Sequence, residues 1–280
     1  MKRAVTIQDI SCVGKCSLTV ALPIISAMGV ETAVIPTAVL STHTAFQGFT
    51  FRDLTEDILP IADHWKKEKF DFDALYTGYP GSKEQIAIVG ELFDRFGTDR
   101  NLIMVDPAMA DNGKLYAGFT PEFAKAMAGL CAKADVIVPN LTEASFLLDI
   151  PYPGETYTRE SIREILVNLT KLGAKKAVLT GISFAEKELG AVAYDSETDS
   201  FIEYFNEKLP VSFHGTGDIF ASVCVGALLN GFDLEKALTL SVDYTLEAMR
   251  YTMKDPDHRW YGVNFESAIP MLVKRLEKEK

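Results

Sequence analysis

A basic excess is missing from this chain: 28 Lys and Arg face 39 Asp and Glu, a formal charge of −11. That excludes a protein whose main business is coating nucleic acid, because no surplus of cations exists to release counterions. Phosphate ligands stay open, since they need only a few local donors. Cysteine is also sparse: Cys12, Cys16, Cys131 and Cys224 are too few for a disulfide scaffold in 280 residues. Cys12 and Cys16 stand four apart, yet no His or second Cys pair clusters with them, so reduced structural thiols are expected rather than a metal site. No apolar run reaches bilayer length; the longest, residues 20–30, is interrupted by Pro23 and Ser26. The basic start meets Gln8 and Asp9 too soon for a signal core, so a cytoplasmic protein with no membrane partner is expected. Four motifs are absent too: a Walker A loop, the protein-kinase H-R-D and D-F-G set, G-x-G-x-x-G after the first strand, and G-x-S-x-G. A nucleotide would have to bind through some other loop.

What is present is a folding chain of 48% apolar residues, with 17 Phe and 10 Tyr to fill a core. Strand-like and helix-like segments alternate without a linker. Residues 4–10 read as a buried strand, and the following helix meets Pro23, where it should bend or restart. Residues 31–40 form the next strand, 54–67 a helix, and 74–79 a short strand. Ser82-Lys83-Glu84-Gln85 is a capping box, in which Gln85 can reach back to the first amide of a helix running to Gly97. Short β-branched runs without alternation suit strands covered on both faces, as in parallel sheets. From residue 191 to 206 two alternating strands surround a turn, which predicts an antiparallel hairpin at one sheet edge. Helices over 217–230, 234–253 and 265–280 close the chain. The expected architecture is one domain over residues 1–280, a three-layer α/β/α sandwich with a mostly parallel sheet. Such sheets bind ligands beyond the carboxyl ends of their strands.

The sharpest local feature lies there. In Phe213-His214-Gly215-Thr216-Gly217-Asp218 the glycines permit close backbone approach, and an apolar helix follows directly. Gly215, Thr216, Gly217 and Asp218 would aim amides outward from a helix N-terminus, a preformed anion hole. The plain alternative is a glycine turn with Asp218 as an ordinary N-cap. Asp106 and Asp111 share one short loop after a strand, and Asn140 and Glu143 follow the next. Carboxylates and an amide beside an anion hole are what a hydrated Mg²⁺ with nucleotide phosphates requires. Alternatively, Asp106 closes a turn and Glu143 caps its own helix. His43 follows the second strand, where it can line a ligand, and His64 reads as part of a solvated helix face.

These residues place the chain beside a known family. It resembles the ribokinase superfamily and, within it, the pyridoxal kinase group. The matching stretches are L-S-T-H-T over 40–44, T-G-Y-P-G-S over 77–82, D-P-A-M-A-D over 106–111, V-P-N-L-T-E over 138–143, L-T-G over 179–181 and G-T-G-D over 215–218. The last of these, with the N-x-x-E of Asn140 and Glu143, marks the superfamily. The S-x-H-T, T-G-Y and D-P-x-x-x-D stretches narrow it to vitamin B6 and hydroxymethylpyrimidine kinases. The G-G motif and early β-lid of sugar kinases are missing.

The resemblance implies ATP-dependent phosphorylation of the 5′-hydroxymethyl group of pyridoxal, pyridoxine or pyridoxamine. It implies Asp218 as catalytic base with Gly215, Thr216 and Gly217 as the anion hole. Around Mg²⁺ and the ATP phosphates it implies Asp106, Asp111 and Glu143, with Asn140, Thr180 and Tyr116 nearby. His43, Thr44 and Tyr79 match positions around the pyridine ring. A monovalent cation (K⁺ or Na⁺) and a homodimer are further implications. A carboxylate at a helix N-terminus is expected to stay ionised at pH 7, making Asp218 a weak base. The chain also departs from the pattern. Gln8-Asp9-Ile10 stands where many pyridoxal kinases read Q-S-H, so Asp9 takes the position expected to approach the ring. A carboxylate there, opposite a protonated ring nitrogen or an exocyclic amine, would favour either ring, with pyridoxamine a reasonable inference. Val138 occupies a position that is often polar near the nucleotide. His214 before G-T-G is shared with hydroxymethylpyrimidine kinases, which makes a kinase of thiamine synthesis the alternative; a B6-binding protein without turnover is the non-enzyme alternative.

Overall fold

The computed structural model describes residues 1–278. Its strands are β1 (Arg3–Ser11), β2 (Glu31–Leu40), β3 (Phe51–Asp53), β4 (Ala74–Thr77), β5 (Leu102–Val105), β6 (Ala110–Asp111), β7 (Lys114–Leu115), β8 (Val136–Ile137), β9 (Lys176–Ile182), β10 (Glu188–Asp195) and β11 (Ser200–Glu207). Its helices are α1 (Leu18–Ala27), α2 (Thr55–Lys67), α3 (Lys83–Phe96), α4 (Pro121–Cys131), α5 (Leu141–Leu148), α6 (Arg159–Lys171), α7 (Thr216–Leu229), α8 (Leu234–Lys254) and α9 (Ile269–Lys278), the last preceded by a 3₁₀ turn. Nine strands share one sheet in the order β11-β10-β9-β8-β5-β4-β1-β2-β3. Strands β9, β8, β5, β4, β1 and β2 run parallel, so their carboxyl ends form one edge. Both outer edges are antiparallel. The expected three-layer α/β/α architecture is thus present, with the hairpin β10–β11 at one edge.

Strand side chains alternate between two cores, which is why the apolar runs carry no polar face. Val5, Ile7, Leu75, Val105 and Ile137 point to the layer of α2 to α6. Ala4, Ala74, Tyr76, Met104 and Val136 point to α1, α7 and α8. Helix α7 is apolar on nearly every face because it is sandwiched between the sheet and its neighbours.

Several local expectations are corrected. Helix α1 runs unbroken through Pro23. Strand β4 ends at Thr77, two residues early, and Tyr79 takes a positive φ of 35° in the loop beyond. Ser82 does cap α3, its hydroxyl accepting from the Gln85 backbone amide at 3.1 Å, but the Gln85 side-chain Oε1 accepts from the Gly81 amide rather than from the cap residue. Gln85 Nε2 donates to the Thr37 carbonyl and the Thr55 hydroxyl, so the side chain ties α3 to β2 and α2. Strands β3, β6 and β7 were not expected; two or three residues are too short to show periodicity. The last two residues of the expected 265–280 helix lie outside the described residues. Among the described residues no helix is long and apolar enough to cross a membrane.

Candidate active site at the carboxyl edge of the sheet

The loops at the parallel edge bring the predicted residues onto one face. Gly215 caps α7 with φ +84°, and Thr216, Gly217 and Asp218 form its first turn, whose amides have no acceptor within the helix. Asp218 is therefore not the N-cap but the third helical residue. Its side chain accepts from the Ser17 amide at the start of α1, a contact between residues 201 apart in the chain that no local signal could reveal.

The structure also changes the electrostatic expectation for Asp218. Burial pushes its carboxyl up from 3.8 to about 7, with the charge of Asp9 adding to the rise and the Ser17 amide opposing it. Desolvation outweighs the helix N-terminus, so the group titrates near neutrality instead of staying ionised. Asp106, only 7% exposed, is also raised, by burial first and then by the charges of Glu143 and Asp218; the Ala108 amide works the other way. Glu143 is 3% exposed and raised to about 7 by burial. Three carboxylates near one another, two of them acting on the third, make a site short of positive charge.

Asn140 and Glu143 serve the backbone directly. Asn140 Oδ1 accepts from the Glu143 amide at 2.9 Å and Glu143 Oε2 from the Asn140 amide at 2.8 Å, a complete capping box on α5. Glu143 Oε1 accepts from the Met109 amide at 3.1 Å, and Asn140 Nδ2 donates to the Ala110 carbonyl at 2.8 Å. The pair therefore clamps the 106–111 loop onto α5. Thr180 bridges Asn140 from β9. Asp111 is exposed and bonds Asn112. Among the described residues no group of three Asp, Glu, His or Cys side chains is placed to hold a metal ion. Tyr116 lies over this loop, 6.4 Å from the ring of Tyr79.

A second group of residues gathers around Asp9, whose charge acts on Asp218. Asp9, at the end of β1, is 4% exposed and faces Tyr79, whose hydroxyl is pushed up to about 12 by burial and by Asp9. His43 is 3% exposed; its Nδ1 accepts from the Ala45 amide at 3.2 Å, leaving Nε2–H to donate to the Tyr261 carbonyl at 3.1 Å. Burial lowers the His43 pKa, while the Tyr261 carbonyl and the charge of Asp9 work the other way. His214 lies 4.2 Å from His43, centroid to centroid, and Phe46 and Trp260 lie at 4.9 and 6.0 Å. Thr44 is exposed, whereas the Thr42 hydroxyl is buried without a partner. Val138 belongs to the core, and His64 stands on the solvated face of α2. Sequence reading missed Phe46, Trp260 and Tyr261; a Trp-Tyr pair in an otherwise polar loop was the available signal.

Residues 22–260 match the family of phosphomethylpyrimidine kinases. A Bacteroides thetaiotaomicron protein described as a phosphomethylpyrimidine kinase, solved with pyridoxal, superposes with a TM-score of 0.92; identity is 38%, covering 97% of this chain and 95% of that one. The pyridoxal kinase of Lactobacillus plantarum superposes with a TM-score of 0.90 at 30% identity, over 99% of both chains. The pyridoxal kinase of Arabidopsis thaliana is 26% identical over 263 residues, 89% of this chain and 82% of its own. A Saccharomyces cerevisiae relative is matched over 54% of its length. With a family match across most of its length and this fold, the chain belongs to the phosphomethylpyrimidine kinase family, as a phosphotransferase of the pyridoxal kinase group in the ribokinase superfamily.

Proposed function

We propose that this protein, acting as one domain, transfers the γ-phosphoryl group of ATP to the 5′-hydroxymethyl group of a B6 vitamer. One observation carries the reading: Asp218 stands on the first turn of α7 next to two groups, Asp9 with Tyr79 and His43, and the carboxylate loop of Asp106 and Glu143. In this reading the vitamer lies in the first and the nucleotide phosphates over the second, with the reacting hydroxyl at Asp218.

Proton removal at the hydroxyl suits a carboxyl that titrates at about 7, since half of it is ionised at neutral pH. The transition state of phosphoryl transfer is loose, so most of the acceleration comes from alignment and charge stabilisation. The first-turn amides of α7 would meet the charge that develops on the transferred group. Asp106 fits a hydrated Mg²⁺: it is buried beside other carboxylates, and a cation relieves that repulsion. Asp106, Glu143 and Asp111 are the residues that would hold the ion. When bound, Mg²⁺ supplies neutralisation of the phosphate charge. Asn140 and Thr180 then act by fixing the loop, and Tyr116 by covering the phosphates. A monovalent cation and a homodimer belong to the same reading, supported by the family resemblance, and a cytoplasmic location is proposed with them.

The test is ADP release from Mg-ATP with pyridoxal, pyridoxine, pyridoxamine or hydroxymethylpyrimidine offered separately. Release that depends on a pyridine vitamer and disappears in Asp218→Ala supports the reading. Release with the pyrimidine alone favours the second reading, a hydroxymethylpyrimidine kinase, for which the family match and His214 beside G-T-G speak. Stoichiometric vitamer binding with no ADP release would make the protein a binder.

A further inference from the structure

One face of β1 carries polar side chains into an apolar layer. Thr6 and Gln8 alternate with Ile7, so they share the face of Ala4, which looks toward α1 and α7. Both are wholly buried. Across the ladder Thr6 is in register with Tyr76 of β4, which faces the same layer and is also wholly buried. Gln8 reaches over to the end of β4: a Cβ added to Gly78 would lie 3.1 Å from its Nε2. The facing helix α7 contributes Ser222, a buried hydroxyl among Ile219, Phe220, Ala221 and Val223. Polar groups sealed inside such a layer are costly unless they satisfy one another.

These residues form one chain of contacts. The Tyr76 hydroxyl meets Gln8 and Ser222, close enough for each to act on it though neither bond is fully aligned, and the two polar atoms of Gln8 have no partner outside the set. The direction of each bond follows from what is already committed. Ser222 Oγ donates to the Asp218 carbonyl at 2.5 Å, so its own proton is spent and a lone pair is left for Tyr76. Tyr76 therefore donates to Ser222, and burial keeps the phenol protonated so that it has a proton to give. Its own lone pairs then accept from Nε2 of Gln8. The chain runs from Gln8 through Tyr76 and Ser222 to the carbonyl of Asp218. One end is the neighbour of Asp9; the other is the first turn of α7. The charges of Asp106 and Asp218 also reach the Tyr76 hydroxyl, which sets it beneath the site.

We propose that Tyr76 is a positioning residue for the phosphoryl transfer, its hydroxyl tying the end of β1 to the first turn of α7 through Ser222. This rests on the reading of Asp218 as the group at the reacting hydroxyl. Ser222 holds the carbonyl of Asp218, and Tyr76 holds Ser222. The turn that carries both Asp218 and the outward amides is thereby fixed to the strand whose next residue is Asp9. Tyr76 is wholly buried, so it acts through Ser222 and not on the substrate. Its contribution is alignment, on which phosphoryl transfer depends most. Filling space needs only the ring; alignment needs the hydroxyl.

The test compares Tyr76→Phe, Ser222→Ala and the double variant with the wild type, in steady-state ADP release from Mg-ATP with the best acceptor. In Tyr76→Phe kcat falls about 10-fold, the size of one lost buried hydrogen bond, while KM for the acceptor and for ATP stays within about twofold. Ser222→Ala loses a similar factor. The double variant is no slower than the slower single variant, because both changes remove the same link. A kcat within twofold of wild type in Tyr76→Phe overturns the proposal. So do losses that multiply in the double variant, and a loss carried by KM instead of kcat, the mark of a loosened site. ATP-analogue binding to each variant checks the fold. Where Tyr76→Phe fails that check, Gln8→Met, which keeps the shape without the donor, is read by the same criteria in its place. The underlying reading is checked separately: turnover retained in Asp218→Ala fails it, and the proposal with it. Unchanged kcat in Tyr76→Phe beside an inactive Asp218→Ala fails the proposal alone.

Discussion

A Cβ added to Gly215 would lie 2.3 Å from the carbonyl oxygen of Lys15. The start of α7 is thereby pressed against the loop between β1 and α1, and the same loop sends the Ser17 amide to Asp218. Lys15 is itself held by Glu266 at 2.8 Å and Asn264 at 3.2 Å, so the contact is braced from the carboxyl-terminal segment. Gly215→Ala meets both this clash and a φ of +84°. The backbone conformation alone costs about 1–2 kcal/mol. A loss of at least that size in denaturant unfolding is expected, with turnover reduced more than ATP binding. Wild-type stability in that variant would show that the contact yields easily.

Asp218 links activity to pH. If it takes the hydroxyl proton, kcat rises with pH and levels off above about 7, following its ionisation. Asp218→Ala should lower kcat by about 10²- to 10⁴-fold while nucleotide binding persists. A flat pH profile between pH 5.5 and 8.5 in the wild type would remove the carboxyl from the proton transfer.

Stability runs in the opposite sense. Folding raises Asp218 from 3.8 to about 7 and Glu143 from 4.5 to about 7, so the folded chain holds more protons than the unfolded chain in that interval. The contribution is fully present below about pH 4 and is lost as pH rises through 7. From these two groups the ligand-free Tm should be lower at pH 8 than at pH 5.5. Asp218→Asn should shrink the difference by raising Tm at pH 8, while turnover is lost, the usual exchange between activity and stability at a site.

Asn140 is predicted to act through structure. Asn140→Ala removes the cap of α5 and the bond to Ala110 together. A cap is worth about 1 kcal/mol, and the second bond a comparable amount. The expected outcome is a Tm drop with a raised KM for ATP, because the 106–111 loop loses its anchor. Unchanged KM for ATP would separate the clamp from the nucleotide.

Trp260 offers an optical readout. It is 62% exposed, with its indole 4.5 Å from Phe46 and 6.0 Å from His43. Trp65 is the other tryptophan of the chain. In Trp65→Phe, pyridoxal should quench the remaining fluorescence and ATP alone should not. Quenching by ATP alone would place the nucleotide on this side.

Much of the architecture was legible because it rests on local order. The strand of residues 31–40, the Ser82 cap and the hairpin after residue 191 are written in periodicity and turn residues, which need no distant partner. Chain alternation predicted the parallel sheet, and the sheet predicted the edge where ligands bind. The short strands β3, β6 and β7 escaped notice, since pairing rather than pattern creates them. At the site, the Asn140–Glu143 capping box follows a local spacing, and its plain capping reading is realised together with the clamp on Met109 and Ala110.

The amino-acid sequence by itself determined the layer order, the glycine turn before Asp218 and the set of polar strand ends. These depend on backbone propensities within a few residues. Tertiary structure decided how the acids behave. Burial and neighbouring carboxylates, brought together across the whole chain, move Asp218 and Glu143 to about 7. Desolvation depends on what surrounds a group in space, and no spacing along the chain records it.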